Sequence, residues 1–155
     1  MAAMALLLTS ASQAASRLGY FTFGPMFHWN FSDHEFKRFS YGLEMAYWNF
    51  ERDTDEYFLD AIWPKVPGYG LAVGFEFDRE AARIYAEPQL GSVLAGASLG
   101  AVLEHSRAGG PARLGVQGSG WVNFFAGFDI RYRRLNGINN QVVGLYAKLP
   151  ALVTR

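Results

Sequence analysis

The stretch that decides the fold runs from Gly68 to Asp78 and reads GYGLAVGFEFD. Every second residue in it is bulky and apolar, namely Tyr69, Leu71, Val73, Phe75 and Phe77. The residues between them are small or acidic, namely Gly68, Gly70, Ala72, Gly74, Glu76 and Asp78. Because successive residues of a strand face opposite sides of a sheet, the segment predicts a strand with one apolar face and one small, polar face.

The same alternation continues in both directions along the chain. It is clear in residues 20–31, 38–48 and 83–91, and it is weaker in residues 98–104, 113–117, 128–133 and 143–149. Turn-forming residues separate these runs, at 32–33, 53–55, 78–80, 108–111 and 136–137. No helical period suits a βαβ unit, and no linker divides the chain. The pattern predicts one all-β domain over residues 16–155.

The chemistry of the two faces indicates which one is the interior. The apolar face is bulky and almost free of charge, whereas the other mixes Gly, Ala and Ser with charges of both signs. A water-facing side would not favour Gly, which weakens strands. The apolar rows span roughly nine to eleven residues, the length that a tilted strand needs to cross a bilayer. Aromatic residues gather toward the row ends, as at membrane interfaces, at Trp29, Phe31, Tyr47 and Tyr132.

We therefore predict a closed, antiparallel, up-and-down transmembrane β-barrel of about eight strands, with the apolar rows facing outward. Closure satisfies every backbone hydrogen-bonding group without an exposed edge, as lipid requires. The alternative that the pattern leaves open is a soluble, lipocalin-like ligand-binding barrel, in which the bulky face would turn inward.

The predicted architecture resembles the small eight-stranded outer-membrane barrels of bacteria, such as the transmembrane domain of OmpA and OmpX, over residues 17–150. The resemblance rests on the alternation and on no sequence motif, so no functional residue is carried over. It implies a monomeric integral outer-membrane protein in contact with outer-membrane lipid and lipopolysaccharide, with a structural or surface-interaction role. Many such barrels end on an aromatic residue, whereas this chain ends Leu152-Val153-Thr154-Arg155.

Two arrangements of strands both give eight. Residues 112–133 keep one phase throughout, which at about 3.3 Å per residue is too long for one crossing. A three-residue turn near 121–123 would divide them into two strands and leave residues 52–67 as a loop. Alternatively, residues 57–63 form a strand and residues 112–133 form a single long one.

Residues 1–15 read MAAMALLLTSASQAA and are predicted to be a signal peptide. The apolar run Ala3–Leu8 is followed by small residues, and Ser12 and Ala14 suit cleavage after Ala14 or Ala15. The usual positive n-region is missing, which is consistent with a start inside a longer signal. The alternative is a short N-terminal helix of a cytoplasmic protein. Export to the bacterial outer membrane is the predicted localisation.

Composition excludes several classes of function. The 155 residues are 50% hydrophobic and 16% aromatic, unlike a disordered chain. Formal net charge is zero, so nothing marks a nucleic-acid partner. The absence of cysteine excludes a disulfide framework, thiol catalysis and cysteine-based zinc sites. No cofactor and no metal are predicted, because His28, His34 and His105 lack close ligand spacing and the Gly-rich stretches 68–74 and 115–120 lack a phosphate-loop ending.

The charged residues of the small face are predicted to form a polar network in the lumen, because unpaired buried charge is costly. They are Arg38, Glu44, Glu76, Asp78, Arg83, Glu87, Glu104, Arg113, Asp129 and Arg131. A structural network is favoured over a gated pore or proton path, because an eight-stranded barrel has room for little besides side chains. His28 has the same phase and could act as a general base near Glu44 or Glu104.

The sequence also leaves open an outer-membrane lipid-modifying enzyme. Glu104, His105 and Ser106 are adjacent, so they cannot share one face of a strand. A non-enzymatic role is therefore favoured. The segment 53–67 is acidic first and apolar later, and it is interpreted as a variable surface loop in preference to a partner-binding one.

Overall fold

The computed structural model describes residues 16–32, 35–52, 67–92, 94–123, 126–136 and 138–153. Almost all of them are in strands. The strands are β1 (Ser16–Ser32), β2 (Glu35–Arg52), β3 (Gly68–Phe77), β4 (Ala81–Gly91), β5 (Ala95–Ser106), β6 (Arg113–Asn123), β7 (Gly127–Leu135), β8 (Ile138–Tyr146) and β9 (Leu149–Val153). No helix of the length and hydropathy needed to cross a membrane occurs in these ranges.

The sheet closes on itself as an eight-stranded barrel. Each strand from β1 to β7 pairs antiparallel with the next one, and β1 also pairs with β8 and β9. Residues 141–146 lie opposite residues 26–31, and residues 149–153 lie opposite residues 19–23, in one continuous register. β8 and β9 are therefore two segments of the eighth strand position, or wall, of the barrel. The predicted eight-stranded antiparallel barrel is confirmed.

The break between β8 and β9 has a local cause. It lies at residues 147–148, beside Pro25 of β1. Proline has no N–H to donate to a neighbouring strand. Its carbonyl still accepts a hydrogen bond of 3.1 Å from the N–H of Ala147. The hydrogen-bond ladder is thus interrupted between β1 and β8–β9, whereas the pairing of β1 with β2 continues past Pro25.

Of the two predicted strand arrangements, one is wrong. Residues 112–133 are not a single strand, because β6 ends at Asn123 and β7 begins opposite it at Gly127. Residues 124–126 separate the two strands, just beyond the predicted turn position. Asn123 and Gly127 lie on the same face of the sheet, so the alternation keeps its phase from β6 to β7. Residues 1–15, His34 and residues 53–66 lie outside the described residues, so the signal peptide and the loop stay predictions.

The two faces point in the directions that the alternation predicted. Outward-facing leucines are largely exposed, with Leu99 at 69% and Leu114 at 66%. Inward-facing Glu76, Glu87 and Gln117 are fully buried. The lipocalin-like alternative required the opposite arrangement and is wrong for the described strands.

Small residues on the inner face allow neighbouring groups to approach closely. A Cβ atom on Gly100 would lie 2.0 Å from the carbonyl oxygen of Ala86 on the adjacent strand. A Cβ atom on Gly74 would lie 2.2 Å from the ring of Tyr85. The glycines of the polar face therefore make room inside a narrow barrel, although they weaken strands elsewhere.

The two ends of the barrel differ. At one end, which we call the turn end, connections join β1 to β2, β3 to β4, β5 to β6 and β7 to β8. At the opposite end, which we call the terminal end, β1 begins, β9 ends, and the other three connections join β2 to β3, β4 to β5 and β6 to β7. In the β3–β4 turn, the N–H groups of Glu80 and Ala81 donate to Asp78 at 2.7 and 2.8 Å. Gly109 and Gly110 adopt positive φ in the β5–β6 turn, as a tight connection requires.

Candidate functional site: the polar lumen

Glu76 of β3 is at the centre of the lumen network. Its carboxylate accepts hydrogen bonds from Arg133 at 2.9 Å, Arg83 at 3.1 Å and Ser40 at 2.9 Å, and it lies 3.2 Å from His28 Nδ1. These four partners are on β7, β4, β2 and β1. One buried carboxylate therefore connects five of the eight walls.

Glu44 of β2 is the centre of a second group, nearer the terminal end. It accepts a hydrogen bond of 2.9 Å from Arg131 and one of 2.5 Å from the hydroxyl of Tyr85. It also pairs with Lys148, in the break between β8 and β9. Arg131 pairs with Asp129 on its own strand, and its guanidinium carbon lies 4.8 Å from the Tyr85 ring centroid. The arrangement is a charge pair with a cation–π contact.

Glu87 of β4 links the two sides of the barrel through uncharged groups. It accepts hydrogen bonds from Ser98 at 2.7 Å and from Gln117 at 2.6 Å. Gln117 in turn accepts one of 2.5 Å from Arg133 Nε. Because Arg133 also binds Glu76, the Glu76 and Glu87 carboxylates are parts of one network.

A third group lies toward the turn end. Arg83 donates to Glu104 and to Asp78, both at 2.7 Å. Arg113 pairs with Glu104 at 2.9 Å, and Arg38 lies 3.7 Å from Asp78. Burial by itself would raise the pKa of Asp78, but the Arg83 charge and the backbone N–H groups of the β3–β4 turn outweigh burial and lower the pKa.

His28 is completely buried, and its neighbours differ from those expected. Its two ring nitrogens lie 3.2 Å from Glu76 and 3.4 Å from Asp129. Glu44 and Glu104 instead pair with arginines, so the expected placement of His28 beside either of them is wrong. The register of β1 against β2, and of β8 against β7, decides which acids face the imidazole. The imidazole has no solvent-exposed surface.

The structure brings all ten predicted network residues to the inner face. Those near the middle are buried, whereas the side chains of Arg38 and Arg113 are 32% and 37% exposed at the turn end. Among the side chains that the structure describes, the interior holds six carboxylates and six cations. They are Glu44, Glu76, Asp78, Glu87, Glu104 and Asp129, with Arg38, Arg83, Arg113, Arg131, Arg133 and Lys148. Their formal charges cancel.

The predicted network omitted Arg133 and Lys148. Arg133 follows Arg131 by two residues, so the alternation alone could have included it. Lys148 lies beyond the end of β8, and its contact with Glu44 depends on barrel closure. The enzyme-like neighbours separate as expected, because Glu104 is buried while His105 is exposed.

Apolar layers occupy the rest of the lumen. Met26, Tyr85, Val102 and Tyr146 form one buried cluster with Leu135. Trp48 and Trp121 meet near the terminal end, with ring centroids 5.5 Å apart. A cavity of about 190 Å³ opens at the turn end and one of about 30 Å³ lies at the terminal end. The buried clusters and the charge network lie between these two cavities.

No family model and no curated protein matches the chain. Among solved structures, a de novo designed transmembrane β-barrel has 9% identity and a TM-score of 0.44, over 88% of this chain and 98% of the other. Ail, the attachment invasion locus protein of Yersinia pestis, in complex with the heparin analogue sucrose octasulfate, has 12% identity and a TM-score of 0.42, over 88% and 99%. A second structure of Ail has 10% identity and a TM-score of 0.24, over 88% and 99%.

Proposed function

We propose that the protein is a monomeric integral β-barrel of the bacterial outer membrane, exported by residues 1–15, with a non-enzymatic structural or surface-interaction role. The single observation that carries the proposal is the outer surface. From Phe23 to Leu149 it exposes bulky apolar side chains on every strand of the barrel. A soluble monomer rarely exposes a contiguous apolar patch larger than a few hundred Å². Such a surface is suited to the acyl chains of lipid and lipopolysaccharide.

The height of the apolar surface suits a bilayer. On β1 the outward-facing apolar residues run from the half-buried Phe21 to the half-buried Phe31, with the exposed Phe23, Phe27 and Trp29 between them. Ten residue steps of about 3.3 Å, in a strand tilted by about 40°, rise roughly 25 Å along the barrel axis. Outer-membrane barrels carry an apolar band of about this height. Outward-facing polar and charged groups of the described strands, such as His105 and Arg134, lie near the strand ends.

Aromatic rings cluster on the outer surface near the turn end. Trp29 and Phe39 have ring centroids 5.7 Å apart, Phe27 and Phe39 6.2 Å, and Tyr41 and Phe77 6.3 Å. Aromatic girdles at the edges of the apolar band are typical of barrels in a membrane. The cluster supports a membrane interface at this end.

The filled lumen supports a structural role over a pore or an enzyme. Its charges are paired across strands, and its apolar clusters lie between the two end cavities. We expect no stepwise conductance from the protein in a planar bilayer. For the enzyme alternative, lipid A mass spectra of cells with and without the protein should be the same.

Tryptophan quenching tests the proposal directly. Trp29 faces outward and is 36% exposed, whereas Trp48 faces the lumen and is 4% exposed. Variants that retain one of these residues, with the other three tryptophans changed to Phe, would be reconstituted in vesicles of phospholipid brominated on the acyl chains. We expect strong quenching of Trp29 and weak quenching of Trp48. Equal quenching of the two, or a protein that stays in solution without detergent, would refute the proposal.

A further inference from the structure

The turn-end cavity differs from the rest of the lumen in its charge. Of its charged lining residues, five are cations and one is an acid: Lys37, Arg38, Arg83, Arg113 and Arg133, with Glu104. The cavity at the opposite end is lined instead by aromatic and small polar residues and Lys148. The turn-end cavity is thus lined mainly by basic side chains, and we call it the basic cavity.

Two of these arginines form a fixed floor. Arg133 is held by Glu76 and Gln117, and Arg83 is held by Glu76, Asp78 and Glu104. Both are at least nine-tenths buried. Because their partners restrain them from several sides, their guanidinium groups stay at the bottom of the cavity.

The other two arginines, Arg38 and Arg113, lie at the opening of the cavity and have N–H groups beyond those in their ion pairs. Arg113 pairs with Glu104 through Nη2, and Arg38 pairs with Glu80 at 2.6 Å through Nη1. A guanidinium has five N–H donors in a planar fork that matches the oxygens of a phosphate. These ion pairs engage one nitrogen of each arginine, so each fork can donate to a second oxyanion.

We propose that the basic cavity binds an oxyanion of the phosphate class, held between Arg38 and Arg113 above the Arg83–Arg133 floor. The cavity measures about 190 Å³. One water molecule needs roughly 10–15 Å³ on this scale, so a phosphate group fits together with several waters. The exposed cations Arg79 and Arg107 lie in the turns at the same end, outside the lining of the cavity. This inference does not depend on the cellular location of the protein.

The direct test is a titration of the ¹⁵N-labelled full-length protein in detergent micelles with inorganic phosphate. Chloride at matched ionic strength is the reference. We expect saturable shifts of backbone amides around Arg38 and Arg113, and a Kd raised about tenfold by Arg113→Gln or Arg38→Gln, since each loses roughly 1.4 kcal/mol of binding. Arg79→Gln and Arg107→Gln, at the same end but outside the cavity, should leave the Kd within about twofold.

A second measurement identifies the source of the phosphate. The titration is repeated in nanodiscs that contain either phosphorylated or dephosphorylated lipid A. If a lipid headgroup fills the cavity, the phosphorylated lipid alone will reproduce the shifts and prevent inorganic phosphate from adding to them. If the ligand is a free phosphate ester, both nanodiscs will respond to inorganic phosphate alike. Shifts that never saturate, or that the Arg79 and Arg107 variants reduce as much as the cavity variants do, would overturn the proposal.

Discussion

Replacing Glu76 by glutamine should destabilise the barrel more than any change at an exposed ion pair. Glu76 is fully buried and faces Arg133, Arg83 and His28. In Glu76→Gln, Arg83 keeps its pairs with Asp78 and Glu104, but Arg133 retains only Gln117. The cost is therefore set mainly by one buried guanidinium without a carboxylate. Breaking a buried pair in this way costs about 3–5 kcal/mol.

The assay is equilibrium unfolding in urea of protein reconstituted in micelles or vesicles, followed by tryptophan fluorescence and by gel mobility without heating. Glu80→Gln is the matched control. Its side chain is 71% exposed and pairs with Arg38. An exposed pair of this kind contributes about 0–1 kcal/mol. The double variant Glu76→Gln with Arg133→Gln should recover part of the loss, because no uncompensated charge remains on Arg133.

The reasoning would be refuted if Glu76→Gln lowered the free energy of unfolding by less than about 1 kcal/mol, or by no more than Glu80→Gln. Either result would show that water reaches the network and screens it. The same outcome would weaken the view of the lumen as a filled interior.

Three further changes test other parts of the structure. Leu99→Arg, at the middle of the outward row of β5, should cost about 2–4 kcal/mol in vesicles, measured by urea unfolding, and a negligible cost would contradict lipid contact there. Gly100→Ala should lower the free energy of unfolding by about 1–3 kcal/mol in the same assay, because its Cβ would meet the backbone carbonyl of Ala86 on the adjacent strand. Gly120→Ala is the control and should leave the free energy of unfolding unchanged, because the space around its Cβ is open. Asp78→Asn should lower stability at neutral pH. Because the pKa of Asp78 is lowered in the folded protein, the difference in the free energy of unfolding between Asp78→Asn and the parent should be largest above pH 3.8, the ordinary pKa of the group. The difference should shrink as the pH falls below that value and vanish in acid. A difference that is independent of pH would refute the role of the Asp78 charge.

The sequence by itself determined the class of fold and the direction of its faces. The alternation in Gly68–Phe77 assigns each side chain to one side of a strand, and this property is local, because it depends on the period of two alone. The identity of the lumen residues follows from the same period. Even Arg133, which the predicted network omitted, shares the phase of Arg131.

Only the tertiary structure decided which lumen groups meet. Glu76 binds residues from four other strands, and His28 lies between Glu76 and Asp129 instead of beside Glu44 or Glu104. These contacts depend on register and on the stagger with which the sheet closes, and a shift of two residues would preserve the alternation while exchanging every partner. The division of the eighth wall, the contact of Lys148 with Glu44 and the basic cavity at one end arise in the same way. Each is a relation between distant parts of the chain, and the period of two contains no information about the distance between strands that are not neighbours.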